Sequence, residues 1–173
     1  MRMHLIVITF GLALAGCREQ PVTGGPSAPG AIPGPEAQPM SAVPFRTIEV
    51  RANGGLRSPE RTLLSDSPAF LSAWQRAHAG TDPGIVLPHI DPTQETAVLV
   101  ALGERPSGGH GIRVSAIERQ GDAVIVHVES LRPGPDCMTT AVMTQPYAFV
   151  AMQWRGATRQ VRFVEHERVD DCR

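Results

Sequence analysis

The chain has 173 residues with 16 basic and 17 acidic side chains, a formal charge of -1, and all of its basic residues are arginine. Without lysine, Schiff bases, amine nucleophiles and the P-loop lysine are excluded. No block of five basic residues occurs, so no nucleic-acid partner is expected, and the length suits one folded domain.

The chain opens Met1-Arg2-Met3-His4 and runs LIVITFGLALAG from Leu5 to Gly16. One basic charge before a short apolar run reads as a secretory signal peptide, residues 1–16, and not as a membrane span. The end of that run, Leu14-Ala15-Gly16-Cys17, resembles the lipobox of bacterial lipoproteins. That resemblance implies a mature chain that begins at lipidated Cys17 and a bilayer partner held by acyl chains, each buried methylene adding about 0.8 kcal/mol. Arg18 stands where an aspartate would resemble an inner-membrane retention signal. The expected location is therefore the cell envelope, lipid-anchored in the outer membrane and facing the periplasm or the cell surface. Residues 17–45, dense in proline and glycine, read as a tether too poor in apolar groups to offset its ordering entropy, and residues 46–173 as the globular domain.

Export to an oxidising compartment leads to the expectation that Cys137 and Cys172 pair. A rival arrangement is a metal site using Cys172 with His166, Glu167, Asp170 and Asp171, although such sites usually show tighter ligand pairs.

Organised periodicity begins at RTIEVR, Arg46–Arg51, where Ile48 and Val50 alternate with polar residues as in a half-buried strand. After the turn NGGLRSPE, RTLL reads as a second strand. Ser67-Pro68 predicts an N-cap followed by proline at the first helical position, and Phe70, Leu71, Trp74 and Ala77 recur at helical spacing over about 68–78. TAVLVAL, Thr96–Leu102, is apolar on both faces and predicts a central strand covered on both sides. GIRVSAI and AVIVHVE flank Arg119-Gln120-Gly121-Asp122 as a hairpin, and YAFVAMQW and TRQVRFV flank Arg155-Gly156-Ala157 as another. The expected class is α+β: a mostly antiparallel, barrel-like sheet of about six to seven strands with one main helix.

The stretch GERPSGGHG, Gly103–Gly111, sets a serine beside glycines and a histidine. It lacks the G-x-S-x-G elbow between strand and helix, and it has no lysine and no following helix to hold a phosphate. His78, His89, His110, His127 and His166 are scattered singly, and His127 with Glu129 is the only local pair on a strand. No metal, cofactor or catalytic residue is expected. Glu104 and Glu129 are conceivable paired carboxylates, but turns and strand ends leave acids solvated. What remains in Arg105, Pro106, Ser107, Gly108, Gly109 and His110 is conformational chemistry, either a plain connection between strands or a recognition loop on a rigid sheet.

The order Phe70-Leu71-x-x-Trp74, TAVLVALGERPSGGHGIRV, VIVHVE, a proline-rich loop with cysteine and TQPYAFVAM resembles the PrcB C-terminal-like family. Gly103, Arg105, Pro106, Gly108 and Gly109 match that family's loop pattern, and Gln145, Pro146 and Tyr147 its later motif. Ser107 stands where threonine is usual and His110 where an aromatic is usual. The resemblance, over about 70–164, implies a non-enzymatic lipoprotein subunit of a surface protease complex that supports a subtilisin-like partner. The loop also echoes that of chagasin-type inhibitors. A protease inhibitor inserting Gly103–Gly111 into an active-site cleft is therefore the alternative function.

Overall fold

The structure, a computed structural model, describes residues 39–80, 85–154 and 160–172, all within the second of two units, Ala37–Arg173. The signal peptide, Cys17 and the expected tether as far as residue 38 lie outside the described residues.

Eight strands and one helix follow in the order β1 (Met40–Ala42), β2 (Phe45–Arg51), β3 (Glu60–Leu64), α1 (Ser67–Ala77), β4 (Glu95–Ala101), β5 (Gly111–Gln120), β6 (Ala123–Pro133), β7 (Tyr147–Gln153) and β8 (Gln160–Asp170) among the described residues. They form two four-stranded sheets, β1-β5-β6-β8 and β2-β7-β4-β3. Among the described residues the sheets do not close into a barrel, and the fold is mostly β with one short helix.

Burial explains this layering. In β4 all five residues from Ala97 to Ala101 are fully buried, with Val98 and Val100 facing the other sheet and Ala97, Leu99 and Ala101 facing α1. Strand β7 repeats the pattern, Ala148, Val150 and Met152 on one side and Tyr147 and Phe149 on the other. Between the sheets these residues meet Ile112, Val114 and Ile117 of β5 and Val124, Val126 and Val128 of β6. Each such side chain contributes about 1.5–3 kcal/mol relative to full exposure. The expected doubly covered central strand is therefore present, slightly shifted, as β4.

Helix α1 begins one residue earlier than expected. Asp66, not Ser67, is the N-cap, its carboxylate accepting from the Ala69 amide at 2.7 Å. Phe70, Ala73, Trp74 and Ala77 form the buried stripe, whereas Leu71 is exposed.

The β5–β6 hairpin turns at Gly121 with φ 59°, a conformation that glycine adopts without penalty. The second expected hairpin does not form. Strand β7 is already hydrogen-bonded to β2 on one edge and β4 on the other, so β8 crosses to the first sheet and pairs in parallel with β6. The Arg155-Gly156-Ala157 turn lies outside the described residues. The end of the expected tether also differs, because Met40–Ala42 pair with Glu118–Gln120 as β1.

Candidate functional site

Register places the motifs at one end of the sandwich. The end of β4 lies beside the start of β7, Ala101 opposite Tyr147, and the start of β5 lies beside the end of β6, Gly111 opposite Leu131. The crossovers 102–110 and 134–146 therefore span the same gap between sheets. The 52–59 turn joins them, since Arg51 also pairs with Tyr147 and Glu60 with Ala101.

Backbone hydrogen bonds fasten these segments together. Arg105 and Thr144 exchange amide bonds in an antiparallel bridge, with N···O distances of 2.8 and 2.9 Å. Gly108 N–H donates to Thr140 O at 2.9 Å, and Thr144 Oγ1 donates to Ser107 O at 2.8 Å. Below them Glu104 N–H donates to Arg57 O at 2.9 Å and Gln145 N–H to Ala52 O at 3.1 Å. The two stretches singled out by sequence are thus brought together, one resting on the other.

Their side chains divide sharply. Glu104, Pro106 and Gly109 are exposed, and Arg105, Ser107, Gly108, His110 and Gln145 are half-buried. Pro146 and Tyr147 are buried and present nothing to a partner. The Tyr147 hydroxyl instead donates to Glu49 Oε2 at 3.0 Å and lies 3.1 Å from His78 Nε2, which itself stands 2.9 Å from Glu49. Burial, then the hydrogen bond to Glu49, pushes the Tyr147 phenol well above its usual range. This network ties β2, β7 and the C-cap of α1, so the tyrosine of the second motif holds the platform under the loops.

Ser107 Oγ donates to Gly108 O at 3.1 Å, and no hydrogen bond joins it to His110 among the described residues. Burial, and then the charge of Arg105, holds His110 below the ordinary imidazole range. Glu104 is exposed. The hydrogen bond from Arg113 holds Glu129 below the usual carboxylate range, the opposite of a glycosidase acid. Two hollows, one beside Asp91, Arg119 and Trp154 and one beside Phe70, Leu87 and Ile90, include neither Ser107 nor His110.

Sequence reasoning missed the apolar side chains of the second crossover. Met138 is fully exposed, Val142 is 61% exposed and Met143 48%. They stand on the crossover whose Thr140 and Thr144 hydrogen-bond to the first loop. The visible cue was an apolar cluster, AVM, inside a segment otherwise read as connection.

Cys137, at the root of this crossover, and Cys172 stand at disulfide distance with Cα atoms 5.4 Å apart. The β6–β8 register delivers them, since Pro133 pairs with Asp170 and Gly134 N–H donates to Asp170 O at 2.8 Å. The rival site on Cys172 does not assemble, for no group of three metal-ligating side chains converges among the described residues.

Residues 96–153 match the family model described as PrcB C-terminal, the family that the two motifs resemble. No curated protein and no solved structure matches the chain.

Proposed function

From the PrcB C-terminal match, which spans β4 to β7 and both crossovers, we propose that the protein is a lipid-anchored, non-enzymatic envelope subunit that binds a protease and stabilises or positions it. The observation that carries this reading is the joined pair of crossovers, hydrogen-bonded at Arg105–Thr144 and Gly108–Thr140, with Met138, Val142 and Met143 exposed on the second and Pro106 exposed on the first. Exposed methionines on a loop anchored by a rigid sheet suit an apolar recognition surface. Binding there stabilises the protease by mass action and leaves its chemistry alone.

The anchor is Cys17, placed in the outer membrane on the reading of Arg18. Cys17→Ser is expected to release an unacylated protein, detected by mass spectrometry and by loss from the membrane fraction. The inhibitor alternative has weaker support, because the Arg105 and Gly108 amides already bond within the protein and cannot pair with a cleft.

The test is pull-down of the full-length lipoprotein from detergent-solubilised envelopes, with the co-purifying protease then purified and its binding measured. Replacing Met138, Val142 and Met143 by serine is expected to weaken binding at least about tenfold, equivalent to 1.4 kcal/mol. Leu71→Ser, on the exposed side of α1, serves as the control and should bind normally. Equal binding by the triple variant refutes the surface, and loss of protease activity on binding refutes the supporting role in favour of inhibition.

A further inference from the structure

On the first sheet, two histidines 39 residues apart in sequence meet side by side. His127 of β6 and His166 of β8 are diagonal neighbours, because Glu129 is the residue in register with His166. His127 Nδ1 and His166 Nε2 face one another at 3.1 Å, with the ring planes inclined by only 14°. On its other side His127 Nε2 lies 3.0 Å from Glu118 Oε2. Both contacts lie at the accessible surface, His127 being half-buried and His166 exposed.

We propose that this pair is a binding site for an imidazole-preferring divalent cation such as Zn²⁺ or Cu²⁺. Two Zn–N bonds of 2.0–2.1 Å at the tetrahedral angle set their nitrogens about 3.3–3.4 Å apart. The observed separation is within a few tenths of an ångström of this, and because the rings face one another almost head-on, with centroids 5.5 Å apart, each must also turn by roughly 35° to aim its lone pair at a metal beside the N···N line. The Glu118 contact fixes the tautomer: with N–H on Nε2 pointing at the carboxylate, Nδ1 presents its lone pair toward His166. A carboxylate behind a ligating imidazole orients it and raises its basicity.

Without metal the two facing nitrogens share one proton, since a hydrogen bond between them needs one donor and one acceptor. The cation takes that proton's place, and His166 changes tautomer to carry its proton on Nδ1, so both ligands remain neutral imidazoles. No third His, Cys, Asp or Glu converges among the described residues. Glu129 is engaged by Arg113 at 2.8 Å and Arg168 at 3.2 Å. Water thus fills the remaining positions, and the site is an open one. Its effect on the fold is a clamp between β6 and the edge strand β8, whose far end leads to Cys172.

The experiment is titration of the metal-stripped full-length protein in detergent with Zn²⁺ by calorimetry and with Cu²⁺ by electron paramagnetic resonance. The expected result is saturable one-to-one binding, a Cu²⁺ spectrum with two nitrogen couplings, and a raised melting temperature with Zn²⁺. Glu118→Ala should weaken Zn²⁺ binding about 10–100-fold, and His127→Asn with His166→Asn should remove it. Equal uptake by the double variant assigns the metal to other histidines and overturns the proposal. So does absence of saturable binding by the native chain, or a spectrum with fewer than two nitrogens, a readout that holds even where a variant fails to fold.

Discussion

Replacing Tyr147 by alanine removes a side chain that is fully buried and whose ring lies edge-on to Phe149 at 5.7 Å and to His78 at 5.9 Å. An aromatic ring of about 150–250 Å² buried at about 25 cal/mol per Å² is worth about 4–6 kcal/mol. Aromatic-to-alanine changes in cores cost about 3–5 kcal/mol, and that is the expected loss. Tyr147→Phe keeps the ring and removes only the hydroxyl. Glu49 and His78 remain 2.9 Å from each other, so the cost should fall near 1.5 kcal/mol, the low end for a hydrogen bond to a charged group. Urea unfolding of the oxidised protein measures both, read as midpoint shifts at constant slope. The phenylalanine variant should also bind the partner normally.

A pH arm checks the same network. The folded phenol is pushed up, so above pH of about 10 the unfolded chain loses its proton first and native stability falls as pH rises. Tyr147→Phe should lack that slope. If Tyr147→Ala stays within about 1 kcal/mol of the native protein while losing its partner, Tyr147 is a contact residue and the assignment to the platform is wrong.

Gly108→Val drives a side chain against Thr140 Oγ1, which a Cβ would approach to 2.5 Å. It should part the two crossovers and weaken partner binding more than tenfold at a stability cost of about 1–3 kcal/mol, measured by calorimetry and urea unfolding. Reducing the Cys137–Cys172 bond, whose partners are 35 residues apart, should cost up to about 4 kcal/mol by the chain-entropy argument. Intact mass should rise by two hydrogens, and no rise would show that the bond is absent. His110 is held low by burial and Arg105, so the stability it confers is complete above about pH 6.5 and is lost as pH falls through its folded pKa. Nuclear magnetic resonance titration should place its midpoint below 6.5, and Arg105→Gln should raise it.

The elements legible in the sequence are those whose own residues state their surroundings. TAVLVAL is apolar on both faces and sits between α1 and the opposing sheet. Gly121-Asp122 turns the β5–β6 hairpin. The position of β8 was not legible, because a glycine-bearing turn between two strands normally means a hairpin. The counter-argument lay in YAFVAM, where all six residues are buried. A strand so covered needs a neighbour on each edge, and β2 and β4 take both places. For the candidate site, sequence supplied the loop and the later motif but not their roles. Tyr147 reads alike whether it faces a partner or Glu49, and only the fold distinguishes these. His127 and His166 meet through the parallel register of β6 and β8, which no local spacing encodes.

The composition of GERPSGGHG follows from the path it takes between sheets. Gly103 has φ 74°, and a Cβ there would lie 2.8 Å from backbone atoms of Arg57, Ser58 and Pro59. Gly109 has φ 80° and passes Thr139 and Pro133 with little room for a side chain. These glycines are required by a crossover laid closely over two other loops, whatever the domain binds. They carry shape, and under the proposed function contact falls to the few side chains around them. Partner choice should therefore vary with Arg105, Pro106 and His110 on the first crossover and with Met138, Val142 and Met143 on the second. Substitutions at Gly103 or Tyr147 should act through the stability of the end that presents them.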